Sequence, residues 1–215
     1  MQAARIYLIC FEFLIITFKA QTDSVMFQLG HPMNDAVFLT YWDFRHNAGI
    51  LKDSIEFKGN KEQLDFITKA LEQEQLKYKV RSEVKSIKSQ EVWGYVQNNT
   101  FYINYQKTFY RIPVFGAISF LVAMVEVRQT GFYDPRFGTY SGGMVTTEQR
   151  EFVMNFYDGK LNPLKQSDVE VLLSRDKKLF EEYSKLSNRK QKEQLYRFIR
   201  RYNENNPVYF LKPKE

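Results

Sequence analysis

Two histidines, His31 and His46, are the whole imidazole complement of the chain, and each stands near an acid, Asp35 or Asp43. A helical metal pair needs histidines a turn apart on one face, and this spacing gives neither an HxxxH nor an HExxH pair. The expectation is two solvated loop side chains and no metal. A second constellation is aromatic. If Trp93, Tyr95 and Tyr102 share one side of a hairpin, their rings offer a platform on which a sugar or a base can stack. With an acid such as Asp134 or Asp158 nearby, that platform would suit a glycan-binding module, or a glycoside hydrolase if two carboxylates face each other across a cleft. The other reading is packing beneath a helix, and this is the one expected, since aromatic rings in a small domain mostly fill its core.

A third candidate lies in the last helix, where Arg189, Lys190, Lys192, Arg197, Arg200 and Arg201 stand against Glu193. Such a helix suits an anionic membrane surface or an acidic polymer, although the same charges also serve as the wet side of a docked helix. Gly138, Gly142 and Gly143 invite comparison with a phosphate-cradling loop, but no lysine follows them and no helix opens behind them. No cofactor is therefore expected. Nucleophile motifs of the GxSxG type are absent, and the acids are scattered without a recognisable pair.

The net charge of +6 is mild for a chain of 215 residues. It falls short of the concentrated basic stripe of a nucleic-acid binder, so that class of partner is not expected. Residues 1–20 carry Arg5, then an apolar run from Ile6 to Phe18 broken by Glu12, then Lys19-Ala20. This order reads as a signal peptide, with a periplasmic or secreted product. Cys10, the only cysteine, sits inside that leader, so the mature chain would hold no thiol and no disulfide. No stretch reaches the roughly 20 apolar residues of a membrane span.

The elements that must position these groups follow from periodicity and turn chemistry. Asn98-Asn99 tolerates the positive φ of a two-residue type I′ turn. That turn predicts Val96 opposite Phe101, Tyr95 opposite Tyr102, Gly94 opposite Ile103 and Trp93 opposite Asn104. Phe109–Val114 and Ile118–Val127 extend the hairpin into a meander that is apolar on both faces and needs cover on both. Before it, 37–44 reads as a strand. Residues 60–75 read as a helix opening on an Asn60–Gln63 capping box, with Leu64, Ile67, Ala70 and Leu71 as its docking face. Residues 76–80 and 83–87 read as strands leading into the meander. After it, 129–147 reads as a long glycine-bearing connection. Asp158-Gly159 then turns a hairpin, Ser167 and Glu170 cap a helix, and two more amphipathic helices follow. The last of these buries Leu195, Phe198, Ile199 and Tyr202, and 208–211 closes the chain as a strand.

The expected fold class is therefore α+β, an antiparallel β-meander core with an N-terminal helix and two to three C-terminal helices. Behind the leader, residues 21–215 form a single α+β domain, with a β-rich lobe over about 25–128, a loop over 129–147 and a helical lobe over about 148–215.

Three groups of residues resemble a group of exported proteins of unknown function from Bacteroidetes-type bacteria. These are Thr40-Tyr41-Trp42-Asp43-Phe44, then Trp93-Gly94-Tyr95 with Tyr102-Ile103-Asn104, and Ile199-Arg200-Arg201-Tyr202-Asn203 with Asn206-Pro207. The resemblance spans most of the mature chain. It implies an envelope or secreted location and brings no catalytic residues. The functional expectation is a non-enzymatic scaffold or binding protein, whose partner is an envelope protein or a glycan. The alternatives are a glycan module or hydrolase on the aromatic face, and a basic adaptor for anionic surfaces.

Overall fold

The computed structural model describes residues 24–26, 33–131, 133–140 and 142–211. The expected leader, Cys10 and His31 lie outside them. In chain order the elements are β1 (Ser24–Met26), β2 (Ala36–Phe38), α1 (Tyr41–Arg45), β3 (Ile50–Leu51), α2 (Phe66–Leu71), β4 (Gln75–Val80), β5 (Glu83–Lys88), β6 (Gly94–Gln97), β7 (Thr100–Tyr105) and β8 (Thr108–Arg111). There follow β9 (Ile118–Gln129), β10 (Tyr133–Asp134), β11 (Thr139–Tyr140), β12 (Met144–Asn155), β13 (Leu161–Pro163), α3 (Gln166–Leu173), α4 (Lys177–Ser184), α5 (Asn188–Asn205) and β14 (Tyr209–Leu211). Every strand pairing is antiparallel and the class is α+β. Among the described residues no helix is long and apolar enough to cross a membrane.

A five-stranded sheet in the order β3-β2-β6-β7-β8 divides two cores. Alternation along its strands does the sorting. Ala36, Phe38, Val96, Phe101 and Ile103 enter the larger core with β9, β12 and the C-terminal helices. Val37 and Tyr95 face the smaller one, built with Phe66, Ile67, Ala70, Leu71 and Leu76. Both faces are covered, as the doubly apolar meander requires. The β6–β7 ladder matches the expected register at Val96–Phe101, Tyr95–Tyr102 and Gly94–Ile103 but starts at Gly94, short of the expected Trp93–Asn104 pair, and Asn98 and Asn99 hold φ of 51° and 55°.

Local capping corrects the first expected strand. β2 stops at Phe38, and Thr40 instead caps α1: its side chain accepts from the Asp43 N–H at 3.1 Å while Asp43 Oδ2 accepts from the Thr40 N–H at 2.9 Å. That reciprocal box outweighs the β propensity of the aromatic run. α2 is shorter than expected. Asn60 accepts from Glu62 in a turn of its own, the helix begins at Phe66, and Leu64 is exposed. β4 and β5 pair with each other as a separate hairpin rather than leading into the meander. The Ser167–Glu170 box is not formed, because Gln166 Nε2 donates to Glu170 at 2.7 Å and Ser167 turns to Asp168.

α5 carries its predicted stripe. Leu195, Phe198, Ile199 and Tyr202 are buried, contributing about 1.5–3 kcal/mol each. Asp176 caps α4, accepting from the Leu179 N–H at 3.1 Å, and takes a second hydrogen bond from Asn205 Nδ2 at 2.8 Å. The Asn205 bond first, and then the Leu179 N–H, hold its carboxyl below the ordinary range. A carboxyl depressed in the folded state stabilises fully above its unfolded value, and that contribution is lost as pH falls through the folded one. Asp176→Ala is therefore expected to cost about 1 kcal/mol at neutral pH. The deficit disappears once both states are protonated, which thermal melts at neutral and strongly acid pH check.

Candidate functional site: a projecting β-ribbon

β9 and β12 pair along twelve residues each, from Ile118↔Asn155 to Gln129↔Met144, without a break in register. The expected connection over 129–147 is thus the far end of a hairpin. The physical reason is that β-branched and long side chains, Val125, Val127, Val145, Thr146 and Thr147, continue the pairing well past the core. Beyond it Tyr133 pairs with Tyr140 and Asp134 with Thr139. A Cβ at Gly143 would stand 2.6 Å from the Gln129 carbonyl, so only glycine lets the two strands close there.

The ribbon is bedded at one end and open at the other. Leu121, Ala123 and Val125 are buried, with Tyr105 and Tyr110 packed against the same core. The Tyr110 hydroxyl donates to the Met124 carbonyl at 3.1 Å. Farther out the large apolar side chains lie in solvent: Tyr133 is 61% exposed, Phe137 77%, Tyr140 69%, Met144 64% and Val145 59%. A cluster of this kind at one tip is the surface feature that most often marks a contact site.

Its edges differ. Leu164 N–H donates to Glu151 O at 2.8 Å and Asn155 N–H to Lys160 O, so these β12 residues turn their backbone groups toward β13. Alternation carries that orientation outward to Gln149, Thr147 and Val145. β13 pairs only as far as Phe152, so the N–H and C=O of those three residues have no partner among the described residues. Arg150 and Glu148 pair on the same strand at 3.1 Å.

The residues singled out from the sequence are not brought together. Tyr95 and Tyr102 stack at 4.5 Å and 6°, but Tyr95 is buried in the smaller core, with its hydroxyl 3.0 Å from Thr68 Oγ1 of α2. Burial raises its pKa. Trp93 packs on the opposite core, 5.6 Å from Tyr41 and 4.9 Å from Phe44. Alternation slips between them because β6 begins only at Gly94, where a Cβ would meet the Tyr102 carbonyl at 2.5 Å. Asn104 holds the irregular entry, donating to both Gln90 O and Val92 O at 2.9 Å. A single three-ring platform is therefore not present. Asp158 serves its turn, accepting from the Lys160 N–H, and Asp134 lies in β10.

Arg201 is engaged, 2.7 Å from Glu182 and over the Phe198 ring. Arg197 and Arg200 are exposed and, with Tyr196 and Glu204, line a shallow recess of about 410 Å³. His46 turns Nδ1 to the Trp42 carbonyl at 2.8 Å. Among the described residues no three His, Cys, Asp or Glu side chains are placed to hold a metal. A polar cleft of about 350 Å³ between the C-terminal helices holds Glu170, which accepts from Gln166 and, at 3.2 Å, from the Tyr183 hydroxyl. Burial, and then the Glu170 charge, pushes that phenol up to about 12. It acts as a brace between helices.

The ribbon is what sequence reasoning missed. The signal for it was the mirrored pair of β-rich runs, ISFLVAMVEVRQ and MVTTEQREFVMN, on either side of the glycines. Set beside family models, curated proteins and solved structures, the chain matches none of them.

Proposed function

We propose that the protein is an exported, non-enzymatic scaffold or binding protein of the envelope or the medium, and that the β9–β12 ribbon is its recognition element. One observation carries the reading. Among the described residues, the largest concentration of exposed aromatic and long apolar side chains sits at the end of a ribbon with an unpaired strand edge, an arrangement suited to adding a strand or inserting rings into a partner. The apolar leader sequence and the resemblance to exported proteins support the location.

The test is a photo-crosslinking residue placed at Phe137 or Tyr140 in the cells that make the protein. Discrete adducts in the envelope or medium fraction are expected, and none from the same residue at Lys85 on β5, which is also exposed. Absence of adducts from both tip positions would remove the ribbon from consideration. Adducts confined to the cytoplasm would remove export.

A further inference from the structure

We infer that the free edge of β12 is closed by β12 of a second copy of this chain, paired antiparallel about a two-fold axis through Thr147. The inference rests on the ribbon being the recognition element and names what it recognises.

The two edges of the ribbon are not equivalent. On β9 the outward residues are Met124, Glu126 and Arg128; the first has its carbonyl taken by Tyr110, and the other two are charged. Charge on an edge strand is a device that discourages further pairing. On β12 the outward residues are Val145, Thr147 and Gln149, with no charge, no proline and no break in register. The charges beside them, Glu148 and Arg150, pair with each other, and three successive outward residues are left open, the kind of edge that takes another strand.

Symmetry selects the occupant. Three outward residues with Thr147 in the middle make a self-complementary set: in a two-fold pairing Thr147 faces Thr147, and Val145 faces Gln149 in both directions. All six free N–H and C=O groups of each copy are then used. The side chains agree with this register. Thr faces Thr, a favourable cross-strand pair, and no two like charges stand directly opposite. Glu148 falls opposite Thr146 and keeps Arg150 on its own strand as counter-charge. A register shifted by one residue would set Glu148 against Glu148.

The ends of the pairing fit as well. Past Met144 the incoming strand would meet Leu164, which already occupies Glu151. At that point the incoming chain has Gly143 and Gly142, which leave its backbone free to turn away. Beside the junction lies a recess of about 410 Å³ lined by Gln149, Arg150, Glu151, Pro163 and Leu164. The apolar tip of the second copy, with Phe137 and Tyr140, is carried toward it.

Sedimentation of the full chain over a range of concentrations tests the inference, and a reversible monomer–dimer equilibrium is expected. The Thr147 N–H has no partner among the described residues, so Thr147→Pro leaves the β9–β12 ladder intact and the melting temperature unchanged. It removes one hydrogen bond on each side of the axis and weakens the dimer about tenfold or more. Thr147→Lys and Thr147→Glu are each expected to be monomeric, because each sets like charges face to face, whereas an equimolar mixture of the two forms a heterodimer. A wild-type chain that stays monomeric overturns the inference, as does a Thr147→Pro chain that dimerises like wild type. Failure of the mixture to rescue overturns the register. If the chain is monomeric while the tip still gives adducts with other proteins, the ribbon stands as a recognition element and the self-pairing alone falls.

Discussion

Phe44→Ala is expected to lower the free energy of unfolding by about 3–5 kcal/mol, the range for truncating a fully enclosed aromatic ring. Phe44 is 2% exposed and stands at the crossing of several elements. Its ring meets Phe38 and Phe210 edge-on at 5.2 Å, Phe101 at 5.8 Å and Phe115 at 5.9 Å, with Trp93 at 4.9 Å. Edge-to-face pairs add about 0.5–1.5 kcal/mol beyond burial, so a ring placed among several rings is costly to remove. The neighbours come from β2, β7, β14 and the segment before β9, which cannot all close on an alanine-sized side chain. Urea unfolding checks this, with a lower midpoint at unchanged slope. Phe44→Leu, which keeps most of the volume, is expected to lose much less. A loss under about 1 kcal/mol for the alanine variant would show that the cluster does not depend on this ring.

Asn203→Ala is expected to cost about 2–4 kcal/mol although it removes no apolar packing. Asn203 of α5 acts as a backbone surrogate for β9: its Oδ1 accepts from the Ile118 N–H at 2.9 Å and its Nδ2 donates to the Ile118 carbonyl at 2.8 Å. Ile118 is 1% exposed, so truncation leaves a donor and an acceptor unmatched away from water. Asn205→Ala is the control. It removes the same amide two residues along the same helix, but its bond to Asp176 is on the surface, and a loss below about 1 kcal/mol is expected. Equal losses from the two variants would mean that the amide on β9 is not what seats the helix. Denaturant midpoints of both variants, measured side by side, decide it.

The parts legible in the sequence are those where one local signal met no competitor. Asn98-Asn99 fixed a register because side-chain amides tolerate the turn's positive φ, and the apolar stripe of α5 showed its docking face because its other face is charged. The failures have equally local causes. At 37–44, eight residues favouring a strand concealed the Thr40–Asp43 capping box, which decides the backbone. Trp93 was assigned to the side of Tyr95 by strict alternation, which holds only inside a continuous strand, and the strand starts one residue later. The ribbon was the least legible feature. Val145, Thr147 and Gln149 on one face, and Met144, Glu148 and Arg150 on the other, are all exposed, so no difference in polarity marks the period. Its glycines then spoke for a loop. Of the candidate residues, the stacking of Tyr95 on Tyr102 was readable, whereas the engagement of Arg201 by Glu182 depends on two helices meeting in space.

β1 pairs with β14, Ser24 opposite Leu211, and Phe210 of that last strand reaches the ring cluster around Phe44. Residues far apart in sequence therefore close the main core together, a long-range contact whose loop-closure cost places it late in folding.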